Sequence, residues 1–366
     1  MFPDPRPYFE DMTDPRQDTH SKRHKLGDIL FIVISAVLSG AEDWVAVVDF
    51  ARSKIAWLRQ YIELPNGIPS HDTIGSLMSR LDPKAFACCF ARWVETEMPS
   101  LAGEHIAIDG KTLRGSTDGL KAVHMMSVFA SSTRVILAPQ ACDGKSNEIT
   151  AIPEMLDGLD IRGATVTIDA MGCQREIAKK IIERGGDYVL ALKGNQQTLH
   201  DAVQKHLDAL DEAGALPEHE TSEKSHGRHT IRRCIFTDTI DWLEKKDEWS
   251  GVAAVGMVES LRDLKGKVSL EKRYFISSIT DSRRFQEVVR KHWSIENEEH
   301  WILDVQFGED GCRARKDHAA ENFAILRRMA LNILRRNEID KKVSLKRRIY
   351  RSALDDAYRS KMLFGT

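Results

Sequence analysis

At 366 residues with 42% hydrophobic side chains, the chain exceeds the usual single-domain length and has enough apolar material for a real core, so two or three modules are expected. A formal net charge of −2 argues, taken alone, against a general polyanion binder. The longest apolar stretch, Ile29 to Leu38, is about half the ~20 residues needed to span a bilayer, and no cleavable signal pattern precedes it; a soluble, cytoplasmic protein with no membrane partner is expected.

Residues 1–24 are polar, contain Pro and Asp and end in HSKRHK, which reads as a flexible, basic-ended arm. A helical domain is expected over 25–100. Helical patterns run from Leu26 to Leu38 and from Trp44 to Tyr61, Ser70 is placed to cap HDTIGSLMSRLD, and Pro83 restarts a helix through PKAFACCFARWVETEM. Short helices around a Gly/Pro turn suit either a helix-turn-helix that binds DNA or a plain bundle.

From Glu104 the period changes to that of strands. HIAIDG, AVHMMSVFAS and RVILAPQACD read as three strands, and after a helix from Ile149 to Leu159 comes a fourth, ATVTID. Gly185 and Gly186 stop the next helix ahead of the buried strand DYVLAL. Three antiparallel strands followed by βαβ units describe an α/β, ribonuclease H-like core, whose first part covers 101–194. The alternating stretches that follow suggest a β-rich insertion over 195–278. The core resumes over 279–337 with a helix containing FQEVVRKHWSIENEEHWILDV, on which Val289, His292 or Trp293, and Glu296 share a face if the helix is regular. A basic tail is expected over 338–366. Between residues 311 and 351 there are thirteen Lys/Arg against four Asp/Glu, which suggests a face for nucleic acid, the bland alternative being a solvated helix.

Three carboxylates carry the chemistry. Asp109 and Asp169 each end an apolar run and begin a turn, where a parallel sheet presents ligand-binding groups, and a helix can bring Glu296 back toward them. Hard cations prefer oxygen ligands, so Asp109, Asp169 and Glu296 are expected both as metal ligands and as catalytic residues, holding two Mg²⁺ ions for which Mn²⁺ can substitute. Two such ions about 4 Å apart stabilise the attacking and leaving oxygens of a phosphoryl displacement. Lys111 and Arg114 stand just past the first acid and either hold phosphate or decorate a surface turn. Lys193 and Asn195 follow the next strand and are candidate DNA contacts, as is His292, which can instead orient Glu296. Arg313, Arg315 and Lys316 suit phosphate binding without sequence readout. Trp293, His300 and Trp301 are expected to pack. The six cysteines show neither CxxC pairs nor zinc spacing and are expected as reduced core thiols.

The motifs IAIDGKTLRGS, KSNEITAIPEML, TIDAMGCQ, DYVLALKGNQ, HWSIEN and ENFAILRRMALNILRR resemble those of bacterial DDE transposases of the ISAs type, also called H-repeat-associated proteins. The likeness runs from about Asp14 to Arg336 and includes the N-terminal HKLGDILFIVISAVLSGAEDW and GIPSHDTI. It implies a ribonuclease H-like core interrupted by a β-rich insertion, with Asp109, Asp169 and Glu296 as first, second and third catalytic acids. It further implies metal-dependent cleavage of double-stranded DNA at element ends and strand transfer into target DNA, by a homodimer or higher oligomer because two ends must be synapsed. Glu299 departs from the family, which has an apolar residue there. A metal-dependent nuclease on the same core and a retired transposase kept as a DNA-binding protein are the alternatives.

Overall fold

The computed structural model describes residues 2–18, 22–117, 122–142, 147–214, 219–225, 228–264 and 267–365. In chain order its elements are α1 (Leu26–Leu38), α2 (Trp44–Ser53), α3 (Ile55–Leu58), α4 (His71–Arg80), α5 (Pro83–Glu97), β1 (His105–Thr112), β2 (His124–Ala130), β3 (Val135–Cys142), α6 (Glu148–Asp157), β4 (Thr165–Ile168), α7 (Arg175–Glu183), β5 (Asp187–Leu192), α8 (Gln197–Glu212), β6 (His219–Ser225), β7 (Arg228–Thr237), β8 (Ala254–Leu264), β9 (Lys267–Ser277), α9 (Ser282–His292), α10 (Trp301–Phe307), α11 (Ala319–Arg336), α12 (Leu345–Leu354) and α13 (Asp356–Phe364). The fold is mixed α/β. It divides into two compact units, one of Met1–Pro99, Gly110–Asn147 and Glu296–Thr366, the other of Ser100–Asp109 and Glu148–Ile295.

The first unit is built on two helices with almost no polar face. Ile29 through Leu38 of α1 are buried, as are Ala319 through Leu334 of α11 apart from Glu321, and a helix apolar all round belongs inside a core. Helix starts follow the sequence: the Asp43 and Ser70 side chains accept from the amides of Ala46 and Thr73, and Asp82 caps α5 ahead of Pro83. Each such cap stabilises its helix by about 1 kcal/mol. The single helix expected from Trp44 to Tyr61 is interrupted at Lys54, between α2 and α3. β2 and β3 form an antiparallel hairpin, clamped to α11 by Asn332, which accepts from the Ile136 amide at 2.9 Å and donates to its carbonyl at 2.8 Å. That side-chain amide makes the same pair of bonds a neighbouring strand would make, which lets it lie buried without cost.

Both chain ends depart from their expected character. Residues 1 and 19–21 lie outside the described part of the arm. Within the described part Phe2 and Phe9 are buried, Phe2 stacks on Trp93 at 4.2 Å, and the Trp93 indole donates to the Pro3 carbonyl. The basic tail forms α12 and α13. Its Arg359 is buried 3.9 Å over the Trp57 ring, and Arg348 is buried beneath α11's last turn, donating to the Leu334 carbonyl.

In the second unit β1, β4 and β5 run parallel, Ile108 paired with Ile168 and Ile168 with Leu190. β9 joins β5 antiparallel, and β8, β7 and β6 continue the antiparallel series. β4 is buried at every position, as suits a parallel strand covered on both faces. A core of Val189, Phe236, Phe275, Phe285 and Val288 seats α9 on the sheet. Gly256 makes the close approach possible, because a Cβ there would collide with the Phe285 ring. No helix among the described residues is long and apolar enough to cross a membrane.

Candidate active site

Asp109 and Asp169 directly follow the paired residues Ile108 and Ile168 on adjacent parallel strands, and both are half-buried. β1 does not turn at Asp109, as the sequence led us to expect, but runs on through Thr112. Asp169 does begin a turn: its side chain accepts from the Met171 amide at 3.0 Å, capping a 3-10 turn over Ala170–Gly172. Gly172 is required there, since a Cβ would collide with the Ile168 side chain. Lys193 is exposed beyond β5, the third parallel strand. Asn195 has a structural partner: its amide donates to the Ala170 carbonyl at 2.6 Å, tying the turn after β5 to the turn after Asp169.

Beneath these acids lies a polar chain that sequence reasoning missed. The Thr167 hydroxyl is hydrogen-bonded at 2.8 Å to His105 Nε2 and at 2.8 Å to His292 Nδ1. One hydroxyl proton can serve only one ring, so the other ring must present its own N–H. Burial pulls His105 down to about 2, and burial outweighs the opposing pull of Asp169 to bring His292 down to about 4, so both rings are neutral near pH 7. His292, a candidate DNA contact from sequence, is bonded to the strand two residues ahead of Asp169. The only sequence signal for this chain is polar residues at inward positions of HIAID and TVTID. Trp293, expected in the core, is 38% exposed with the Arg273 guanidinium 4.2 Å from its ring centroid.

Glu296 belongs to the first unit and is exposed. The helix expected to carry it is not regular. α9 ends at His292, and Ile295–His300 form a wide π-helical turn before α10 begins at Trp301. A π-turn lodges an extra residue in the helix, so Val289, His292 and Glu296 do not form the single α-helical face their spacing suggested. Glu299, the family departure, is enclosed against Arg328 at 3.1 Å and accepts from the Ser127 hydroxyl at 2.6 Å. Glu298 pairs with Arg134 at 2.9 Å.

Lys111 is not presented to a ligand. Its side chain is 8% exposed, with Nζ 2.6 Å from Asp304, 2.8 Å from Asp310 and 3.2 Å from Glu309. Burial alone would lower its pKa; Glu309, Asp304 and Asp310 reverse that and leave it raised. Glu309 in turn meets Arg328 Nη1 at 3.0 Å. Burial works against the charge of both glutamates; it wins at Glu299, raising its pKa, and loses at Glu309, where Arg328 and Lys111 hold it low.

The remaining basic candidates do come together in part. Arg114 is 83% exposed 3.5 Å from Asp310, and Arg315 Nε donates to the Gly115 carbonyl at 2.9 Å. Gly115 fits so closely that a Cβ would collide with the Cys312 carbonyl oxygen. Arg313, Arg315 and Lys316 are exposed on this joined pair of loops.

Among the described residues no three His, Cys, Asp or Glu side chains form a ready metal cluster. The donor chemistry nevertheless fits a hard cation: Asp109 and Asp169 offer carboxylate oxygens at matched positions on neighbouring strands, and such cations retain water and accept substrate phosphate as further ligands.

The family model described as "Transposase DDE domain" matches residues 101–333, and that described as "DDE_Tnp_1-associated" matches residues 7–94. The H repeat-associated putative transposase YhhI of Escherichia coli strain K12 is 41% identical over 96% of this chain and 96% of its own length. A protein of Xanthobacter autotrophicus described as uncharacterised, in the dhlA 3′ region, is 47% identical over 76% of this chain and 96% of its own. A piggyBac transposase synaptic complex with hairpin DNA covers 98% of this chain and 77% of that chain at 12% identity and a TM-score of 0.41, a likeness too slight to bear on fold or function.

Proposed function

Because the chain belongs to the DDE transposase family, we propose that it cleaves DNA at the ends of a bacterial insertion sequence, in the cytoplasm, and joins the freed ends to target DNA. We further propose a ribonuclease H-like core with Asp109, Asp169 and Glu296 as its catalytic acids. The observation that carries the reading is the pairing of Ile108 with Ile168 on parallel strands, which puts Asp109 and Asp169 at equivalent steps of one sheet edge.

In this reading those two acids, with Glu296, hold two Mg²⁺ ions. When bound, the ions supply activation of the attacking water and neutralisation of the leaving 3′ oxygen. The residues of the chain bind and orient. Asp169 is held by its own turn, the Asn195 bond keeps that turn in place, and His292 and His105 brace Thr167 with no charge of their own. Exposed Arg313, Arg315 and Lys316, with Arg114 and Lys193, contact the DNA backbone. At least two chains act together on paired ends.

The test uses a duplex bearing the inverted repeat that flanks the gene, with a supercoiled target, in Mg²⁺ or Mn²⁺. Wild type should yield both cleaved ends and joined products. Asp109→Asn and Asp169→Asn should each abolish both while leaving DNA binding intact. Cleavage without joining would replace the transposase reading with a nuclease. Unchanged processing by Asp109→Asn would remove the catalytic assignment.

A further inference from the structure

The face of the chain that carries Glu296 does not end with that residue. In a π-turn a residue lies over the one five positions on, and in the α-helix that follows over the one four positions on. Glu296, Trp301 and Val305 are therefore aligned. Burial agrees: Glu296 is exposed, Trp301 is 57% and Val305 54% exposed, whereas Ile295, Glu299, Leu303 and Phe307 are buried. An exposed indole on its own needs no explanation. Here it stands one turn past a proposed catalytic acid, with a second apolar side chain beyond it.

The surroundings identify what would cover it. α10 leads through Gly308 into the loop with exposed Arg313, Arg315 and Lys316. Lys111 holds that loop to the helix by reaching Asp304 and Asp310 together, and Arg114 is fastened alongside through Asp310 and the Gly115–Arg315 bond. An aromatic plane followed by backbone-binding cations is the combination that recognises unpaired nucleic acid, because every base has a π-face and every nucleotide a phosphate. A protein partner would make use of Trp301 and Val305 but not of the cations.

Resting on the transposase reading, we propose that Trp301 is a stacking platform for an unpaired base at the end of the DNA substrate, with Val305 flooring the same contact. Trp301 then holds the strand end against the acidic helix while the cations hold its backbone. It positions substrate and takes no part in proton or metal chemistry.

The full-length protein, without divalent metal, is titrated with a duplex whose frayed terminus carries 2-aminopurine, and with a blunt duplex of the same sequence. Wild type should quench the 2-aminopurine and prefer the frayed end. Trp301→Ala should lose the quench and bind the frayed end about tenfold more weakly, with blunt-end binding unchanged. Trp301→Phe should restore most of both. The proposal is overturned if Trp301→Ala keeps the quench and the preference, or if wild type shows no quench. It is also overturned if Trp301→Ala changes only sedimentation, which would assign the face to a second copy of the chain. Because the readout needs no cleavage, an Asp109→Asn protein that still processes DNA would sink the catalytic assignment and leave this signal standing.

Discussion

Arg328 Nη1 and Glu309 Oε1 meet at 3.0 Å with neither side chain exposed. Glu309 also faces Lys111, and Arg328 also faces Glu299, so two cations and two glutamates depend on one another inside the first unit. Breaking a buried pair by removing one partner leaves the other charge unsatisfied. Arg328→Met should lower unfolding stability by about 3–5 kcal/mol, read as a shift of the urea midpoint.

The two glutamates should not be equivalent. Burial raises the Glu299 carboxyl, whereas Arg328 and Lys111 hold Glu309 low. Glu299→Gln keeps an acceptor for Ser127 and should change stability by less than about 1 kcal/mol, while Glu309→Gln strips Lys111 and Arg328 of a shared anion and should cost about 3 kcal/mol or more. Equal midpoints for the two variants would contradict the asymmetry.

Acid should weaken the fold through its enclosed histidines. Burial holds His105 at about 2 and His300 at about 3, against about 6.5 in an unfolded chain. Between those values the unfolded chain binds more protons. The stability these rings contribute is therefore complete above about pH 6.5 and is lost as pH falls, with a slope approaching 1.4 kcal/mol per pH unit for each ring. Urea midpoints measured from pH 7 to pH 5 should fall, and fall less steeply in His105→Asn.

Lys111 and the exposed loop cations can be separated by salt. If Arg313, Arg315 and Lys316 meet phosphate, each alanine variant should flatten the plot of log affinity against log salt by roughly 0.9 for each phosphate it leaves without its cation. Lys111→Met should leave that slope unchanged and lower the unfolding midpoint instead. A flattened slope for Lys111→Met would mean that its ammonium leaves the acidic cluster for DNA.

Gly115→Ala should disturb both properties. The added methyl meets the Cys312 carbonyl oxygen with no flexible group to give way, and overpacking of this kind costs about 1–3 kcal/mol. Forcing the two loops apart also breaks the Arg315 bond, so DNA affinity should drop together with the melting temperature.

Local signals in the sequence correspond to local structure. Ser70 and Pro83 mark helix starts, Gly185 and Gly186 close α7, and Asp109 and Asp169 follow buried, parallel strands. What pattern could not convey was the partner of a charged residue. Lys111 stands next to a proposed catalytic acid and reads as a phosphate ligand, yet its carboxylate partners Asp304 and Asp310 lie 193 and 199 residues away. The basic stretch from 311 to 351 suggested one continuous nucleic-acid face, but Arg327, Arg328 and Arg348 are buried. The helical spacing of Val289, His292 and Glu296 presumed a uniform 3.6-residue turn, and the wide turn at Ile295–His300 removes that premise.

That wide turn also bears on how the segment can vary in length. Deleting one residue, Asn297 for instance, would let Ile295–His300 relax into ordinary helical winding, and everything downstream would rotate by about 100° relative to what precedes it. Leu303 and Phe307, now buried, would swing toward water and Trp301 toward the interior. A stretch that is largely at the surface, where insertions and deletions are usually absorbed, is here as intolerant of a single-residue change in length as a core strand.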